Sequence, residues 1–229
     1  FVRCLCPPHT PANDGLLARV QVQVPAGSLL DAVAPHPVAG GNVETSQRLV
    51  DVLWLAASKL WPGSMPAPGS GTMSNWTFGP RPGGEWMPAY YETLPGGGGG
   101  GPDGPGAHAI QQHMTNTAST PSEVLERRWP VRVVRMSLRK KSGGPGVHAG
   151  GEGLWREVEF LRPARAAFLM TRHDSPPPGI DGGLPGAVGR IRVRLGGRWR
   201  SQAPLGQIDL EAGDRVRIET PGGGGWGAP

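Results

Sequence analysis

The sequence predicts an α+β fold dominated by β-strands, with glycine-rich turns between the strands and one long and one short helix. Runs in the second half of the chain alternate apolar and polar residues, as half-buried strands do. Clusters of glycine separate these runs. Two segments before residue 131 place apolar residues at helical spacing, and each follows residues that favour a helix N-terminus.

The first part of the chain is predicted to hold a strand and a long helix. Leu17–Val24 alternates as a strand does. Asn42 is a plausible N-cap for the helix, and Glu44 lies in its first turn, where the helix dipole favours an acidic residue. Pro62-Gly63 ends this helix. Residues 62–88 are rich in loop-forming residues.

The short helix has a clear start signal. Thr120-Pro121-Ser122-Glu123 has the pattern of a capping box with proline at the first helical position, and Pro130 stops the helix. Further upstream, Gly96–Gly101 could cradle a phosphate, but it lacks the Gly-Lys-Ser/Thr ending and the following helix of such loops. A flexible loop is the favoured interpretation there.

The rest of the chain is predicted to be β-structure, with a sub-boundary near 130–145 and a β-rich tail after it. Strands at this spacing suggest a sandwich or a barrel. The predicted strands are Val131–Arg139, Trp155–Leu161, Ala166–Thr171, Arg190–Leu195 and Arg215–Thr220. The glycine-rich turns between them are Ser142–Gly146, Gly150–Gly153, Gly179–Gly186 and Gly222–Gly225.

Composition argues for a globular protein that binds neither nucleic acid nor membrane. The net charge is +5, but only three of the 23 basic residues are lysines and the arginines are scattered, which favours a solvated surface over a phosphate-binding face. No run approaches the ~18–20 apolar residues of a membrane span. We expect a cytoplasmic protein, with Cys4 and Cys6 as reduced thiols in a buried strand. Because the sequence starts at Phe1 within a strand-like run, we also expect a fragment.

Several motifs, in the same order along the chain, resemble segments of the hydantoinase B/5-oxoprolinase family. They are Gly40–Arg48 (GGNVETSQR), Gly71–Gly79 (GTMSNWTFG), Tyr90–Thr93 (YYET), His113–Thr117 (HMTNT) and the later glycine clusters. The resemblance spans nearly all of residues 1–229, and it implies the C-terminal half of such a subunit.

The resemblance implies an ATP-dependent enzyme that opens a cyclic amide, either hydantoin or 5-oxoproline. A hydantoinase A-type ATPase partner would bind ATP and Mg²⁺ and activate a carbonyl oxygen as a phosphate ester. A ketone carboxylase subunit of the acetone carboxylase type is the alternative within the family. A non-catalytic glycine-rich scaffold or binding module is the alternative outside it.

One motif of the family is missing here. The acidic and histidine pattern NDPY…GGxHxxD, which the family is thought to use for a divalent metal, belongs to the front half of the subunit. Asn13-Asp14 does not match it, since no Pro-Tyr follows. We therefore expect no metal in this chain, which should be inactive alone.

The candidate catalytic residues are His113, Thr115, Asn116 and Glu92. A histidine with adjacent hydroxyl and amide groups just before a helix N-terminus could bind an anion or oxyanion. The alternative is a polar turn whose side chains cap backbone groups. Glu92 could line a site beside the glycine run or simply end a strand.

The candidate substrate-binding residues are Asn42, Asn75 and Tyr91. Each lies in one of the motifs that carry the resemblance. For Asn42 the simpler interpretation is the N-cap described above, and for Tyr91 it is a strand end. His173-Asp174 could suggest acid/base chemistry, but the prolines after it favour a surface loop.

Overall fold

The computed structural model describes residues 1–18 and 20–229, and it confirms a β-dominated α+β fold. The helices are α1 (Asp14–Leu17), α2 (Ser46–Leu60) and α3 (Ser122–Arg128). The strands are β1 (Asn75–Gly79), β2 (Tyr90–Thr93), β3 (Val131–Arg139), β4 (Gly153–Phe160), β5 (Ala164–Leu169), β6 (Arg190–Leu195), β7 (Arg198–Gln202), β8 (Leu205–Leu210) and β9 (Arg215–Glu219).

Two antiparallel sheets share one hydrophobic core. One has the strand order β2-β1-β5-β8 and the other β3-β4-β9-β6-β7. The inward residues of both sheets form a single apolar cluster, in which the rings of Phe78 on β1 and Phe160 on β4 lie 5.2 Å apart. The sandwich, rather than a barrel, is the arrangement formed.

The long helix is confirmed, but its start differs from the prediction. A π-helical turn at Gly41–Thr45 leads into α2, and Gly40 is the N-cap, so Asn42 lies inside the turn and caps nothing. The helix buries Gln47 and Asp51 as well as Ala57. Its buried face is therefore largely polar, unlike the apolar face expected from the spacing.

None of the helices in the described part of the chain is long and apolar enough to cross a membrane.

The short helix is also confirmed, whereas its capping box is wrong. Pro121 is the N-cap of α3, and no side chain caps this end. The backbone N–H of Thr120 donates to Glu92 Oε1 at 2.8 Å, so a carboxylate from β2 takes the place that Glu123 was predicted to fill. Glu92, which is distant in sequence, has therefore replaced Glu123 as the acceptor of the Thr120 N–H.

The predicted strand at Leu17–Val24 does not form among the described residues. Leu17 ends α1, residues 20–25 have no regular structure, and Val22 is 78% exposed; Arg19 lies outside the described residues. An alternating run becomes a strand only where a neighbouring strand can accept its hydrogen bonds. Cys4 is likewise exposed in a 3₁₀ helix rather than buried in a strand.

The strands predicted in the second half are confirmed to within two residues at each end. Three strands were missed, namely β1, β7 and β8. β1 lies in the segment predicted as loop-rich, whereas β2 is the strand whose end was expected at Tyr91 and Glu92. β7 and β8 have mostly exposed residues, so their sequences lack a buried apolar face.

Glycine-rich segments pack against one another in what we call the glycine bundle (residues 95–101, 142–151, 179–186 and 221–226). Segments 95–101 and 221–226 are mostly buried, whereas half of the residues in 179–186 are exposed. Backbone N–H groups donate directly between segments, for example Gly100 to Gly224 O at 2.9 Å and Gly151 to Gly98 O at 2.7 Å. A Cβ on Gly223 would lie 1.8 Å from Gly98 O. The predicted turns as far as Gly186 do connect strands, and one of them closes with a hydrogen bond from Gly183 N–H to Ile180 O at 2.8 Å. The flexible loop predicted at Gly96–Gly101 is wrong, because the lack of side chains lets this backbone pack and hydrogen-bond against the other segments.

Candidate functional site

A row of buried polar side chains follows one face of the π-helical turn and α2. Glu44, Gln47 and Asp51 are each at most 5% exposed and recur at the spacing that aligns residues on a helix face. Burying polar groups is unfavourable unless each finds a partner. Some of their partners (Thr72, Asn75 and His113) come from the other motifs that the sequence singles out.

Glu44 joins three distant segments. Its Oε1 accepts from the Thr72 hydroxyl and from Asn75 Nδ2, both at 2.8 Å, and its Oε2 accepts from the Thr171 hydroxyl at 2.6 Å. Burial raises the pKa of Glu44, while the hydroxyl hydrogen bonds act in the opposite direction. The helix-dipole role predicted for this residue is thus replaced by a buried acceptor that fixes the start of β1 and the end of β5.

Asp51 lies between His113 and Arg172. Its Oδ1 is 3.2 Å from His113 Nε2, and its Oδ2 accepts from Arg172 Nη2 at 2.9 Å. Gly71 makes this approach possible, because a Cβ there would lie 2.4 Å from Asp51 Oδ2. His113 and Arg172 both have positive φ, 55° and 61°, which is unfavourable for their side chains and common at functional sites.

Arginine donors remain unpaired beside the group formed by Asp51, His113 and Arg172, which we call the triad. Arg172 Nε and Arg48 Nη1 are buried without a hydrogen-bond partner among the described residues. Burial lowers the pKa of Arg48, and the positive charge of Arg172 lowers it further. Buried N–H donors of this kind are suited to an anionic or strongly polar group of a reactant.

The remaining candidates occupy different surroundings. Glu92 is buried, accepts the Thr120 N–H, and lies 3.7 Å from buried Arg156, so its carboxylate is bound within the core. Thr115 is half-buried, whereas Asn116 and Asn42 are exposed. The structure therefore brings His113 into contact with Asp51 and leaves Glu92, Asn116 and Asn42 outside this group.

Asn75 and Tyr91 meet at a small cavity on the outer face of the β1–β5 sheet. The Tyr91 hydroxyl donates to Asn75 Oδ1 at 2.7 Å. The cavity has a volume of about 280 Å³, and Val43 lines it together with residues of β1 and β5. Two of the predicted substrate-binding residues thus share one pocket.

Asp51 and Arg172 were not among the residues chosen from the sequence. Their roles depend on contacts that span 62 and 121 residues. The polar spacing of residues 44, 47 and 51 on a predicted helix is the signal that could have identified Asp51.

Among residues 1–18 and 20–229, no group of three or more His, Cys, Asp or Glu side chains is arranged to hold a metal ion.

Comparison with known proteins gives a consistent family. Residues 1–229 match the hydantoinase B/oxoprolinase family. The 5-oxoprolinase 1 of Arabidopsis thaliana is 41% identical over 235 residues, covering 99% of this chain and 17% of the plant protein. The B-type subunit assigned to a D-/L-hydantoinase of Pseudomonas sp. (strain NS671) is 28% identical over 223 residues, covering 96% of this chain and 37% of that protein.

A solved structure shows the same fold. The ATP-dependent caprolactamase from Pseudomonas jessenii matches with a TM-score of 0.81 and 24% identity, covering 99% of this chain and 41% of that one. The chain thus spans less than half the length of each of these three proteins. It belongs to the hydantoinase B/oxoprolinase family.

Proposed function

We propose that this chain is the C-terminal part of a subunit that opens a cyclic amide, hydantoin or 5-oxoproline, in an ATP-dependent reaction. The observation that carries the proposal is the 41% identity to a 5-oxoprolinase over 99% of the chain. It is supported by the meeting of the GGNVETSQR, GTMSNWTFG and HMTNT motifs in one buried polar cluster.

The pair of Asp51 and His113 fits a proton-transfer role. A carboxylate can only accept, so His113 Nε2 carries the hydrogen between the two and Nδ1 carries the lone pair of the neutral ring. Nδ1 is then the atom that can take a proton from an attacking water or return it to the leaving ring nitrogen. Arg172 holds Asp51 in place from its other oxygen.

The partner proposed for this subunit is a hydantoinase A-type ATPase that binds ATP and Mg²⁺. The Pseudomonas sp. relative is named as one subunit of a hydantoinase, which supports an enzyme of more than one component. Activation of the carbonyl as a phosphate ester would place an anion at the site, and the unpaired donors of Arg48 and Arg172 suit such a group. The divalent metal of the family is proposed to bind outside this chain.

The test is reconstitution of the full-length subunit with its ATPase partner. We expect ATP-dependent ring opening of hydantoin or 5-oxoproline, and no turnover by residues 1–229 alone. Acetone with bicarbonate serves as the parallel substrate pair. Carboxylation without ring opening would replace this proposal by the ketone carboxylase, and turnover by the isolated chain would refute the need for a partner.

A further inference from the structure

The cavity beside Asn75 and Tyr91 has a wall whose polarity the structure defines. Thr77 pairs with Tyr91 on one side and with Ala167 on the other, and Asn75 pairs with Leu169. These side chains share the outer sheet face, because neighbours directly opposite in a sheet point the same way. Most of this wall is apolar, and the Thr77 hydroxyl is already committed to the Tyr90 carbonyl.

The orientation of the Asn75 amide follows from its partners. Its Nδ2 donates to Glu44 Oε1 at 2.8 Å and to the Leu169 carbonyl at 2.9 Å. A backbone carbonyl can only accept, so the NH₂ group must face Leu169 and the amide oxygen must face Tyr91. Glu44 therefore acts as a positioning residue for Asn75.

Tyr91 uses its only hydroxyl proton on that amide oxygen, at 2.7 Å. What remains available on this polar edge is a set of lone pairs, on Asn75 Oδ1 and on the Tyr91 hydroxyl oxygen. A ligand that fits must bring a hydrogen-bond donor beside an apolar body. The volume of about 280 Å³ lies near the lower limit of small-molecule pockets, which suits one small ring.

We propose that this cavity binds the ring of a cyclic amide, whose N–H donates to Asn75 Oδ1 and the Tyr91 hydroxyl oxygen while its methylene groups face Val43, Ala167 and Leu169. This inference rests on the proposed function, since it assigns the substrate ring of that reaction to a pocket. It makes Asn75 and Tyr91 determinants of specificity for an unsubstituted ring nitrogen.

The experiment uses the full-length protein labelled with 3-fluorotyrosine. The fluorine resonance lost in Tyr91→Phe identifies the cavity. We expect 2-pyrrolidinone, the probe cyclic amide, to shift this resonance. We expect N-methyl-2-pyrrolidinone to bind at least about tenfold more weakly, because its nitrogen carries no hydrogen to donate to Asn75 Oδ1 or to the Tyr91 hydroxyl oxygen. Equal binding of the two rings, or no shift with either, would overturn the proposal.

Two variants make the test specific. Asn75→Ala should abolish the preference for the N–H ring, whereas Gln207→Ala, which removes an exposed amide from the neighbouring β8, should retain it. A preference that survives Asn75→Ala would overturn the assignment. Turnover of hydantoin or 5-oxoproline by the reconstituted complex is measured in parallel. Turnover without binding in this cavity would contradict only this inference. Binding without turnover would contradict only the proposed function.

Discussion

The carboxylate of Asp51 contacts both His113 and Arg172, and the Asp51 side chain is only 2% exposed. Asp51→Asn leaves the Arg172 guanidinium buried without a counter-charge, so we expect a loss of about 3–5 kcal/mol in the free energy of unfolding. Urea denaturation measures it. Glu211→Gln, at the exposed pair with Arg81, is the control and should change the midpoint little. Equal effects of the two substitutions would contradict a buried ionic role for Asp51.

His113 separates chemistry from stability. His113→Ala should lower kcat of the reconstituted complex by roughly 10²–10⁴-fold, because a proton-transfer group is lost. Asp51 keeps its contact with Arg172 in this variant, so the melting temperature should change little. A loss of less than about threefold in kcat would contradict a proton-transfer role for His113.

His173 gives the fold a pH dependence. Burial lowers its pKa from 6.5 to about 4, and Gly189 leaves room for the ring. The unfolded chain therefore takes up the proton first as pH falls, so the stabilisation is complete above pH 6.5 and is lost as pH falls towards 4. The difference in unfolding free energy between wild type and His173→Gln should shrink over that interval. A difference that stays constant with pH would disprove the shift.

At the residue scale, sequence motifs singled out Asn75, Tyr91 and His113 as candidate site residues. The structure places the first two of them in one cavity. Asp51 and Arg172 were not, since only the folded chain brings them together across 121 residues. Glu92 was a candidate that could line a site or end a strand, and its partners Thr120 and Arg156 come from elements whose packing the sequence does not reveal.

Among the elements, the glycine bundle is where an added side chain would clash most severely with the backbone. Gly223→Ala would place a Cβ 1.8 Å from Gly98 O, so we expect at least about 3 kcal/mol of destabilisation from overpacking against backbone. Gly41→Ala is the matched control, because nothing lies within 4 Å of a Cβ there. Chemical denaturation of both variants tests this, and an equal response would show that the bundle tolerates side chains.

The elements that the sequence predicted best are those with a buried apolar face. β6 alternates buried Ile191 and Val193 with arginines and was predicted to the residue. β8 is mostly exposed and was missed. The glycine segments were interpreted as turns because glycine usually marks them, and here glycine also permits backbone contact between segments far apart in the chain, which the sequence did not reveal.

The molecule as a whole combines two interiors of different kinds. The sandwich is held by apolar side chains such as Trp76, Phe78 and Phe160. The glycine bundle is held by backbone hydrogen bonds between glycine-rich segments. The polar cluster of Glu44 and Asp51 belongs to neither, and it anchors α2 to both β1 and the segment after β5.

The glycine bundle also determines how the folded state responds to heat. Exposure of apolar surface on unfolding raises the heat capacity by about 0.45 cal/K/mol/Å², whereas exposure of peptide groups lowers it by about 0.26 cal/K/mol/Å². The bundle exposes mainly peptide groups, so the heat capacity change per residue should fall below the usual ~12–15 cal/mol/K. Scanning calorimetry measures this quantity. A smaller value gives a broader stability curve, so the free energy of unfolding would change less between cold and warm conditions on either side of its maximum.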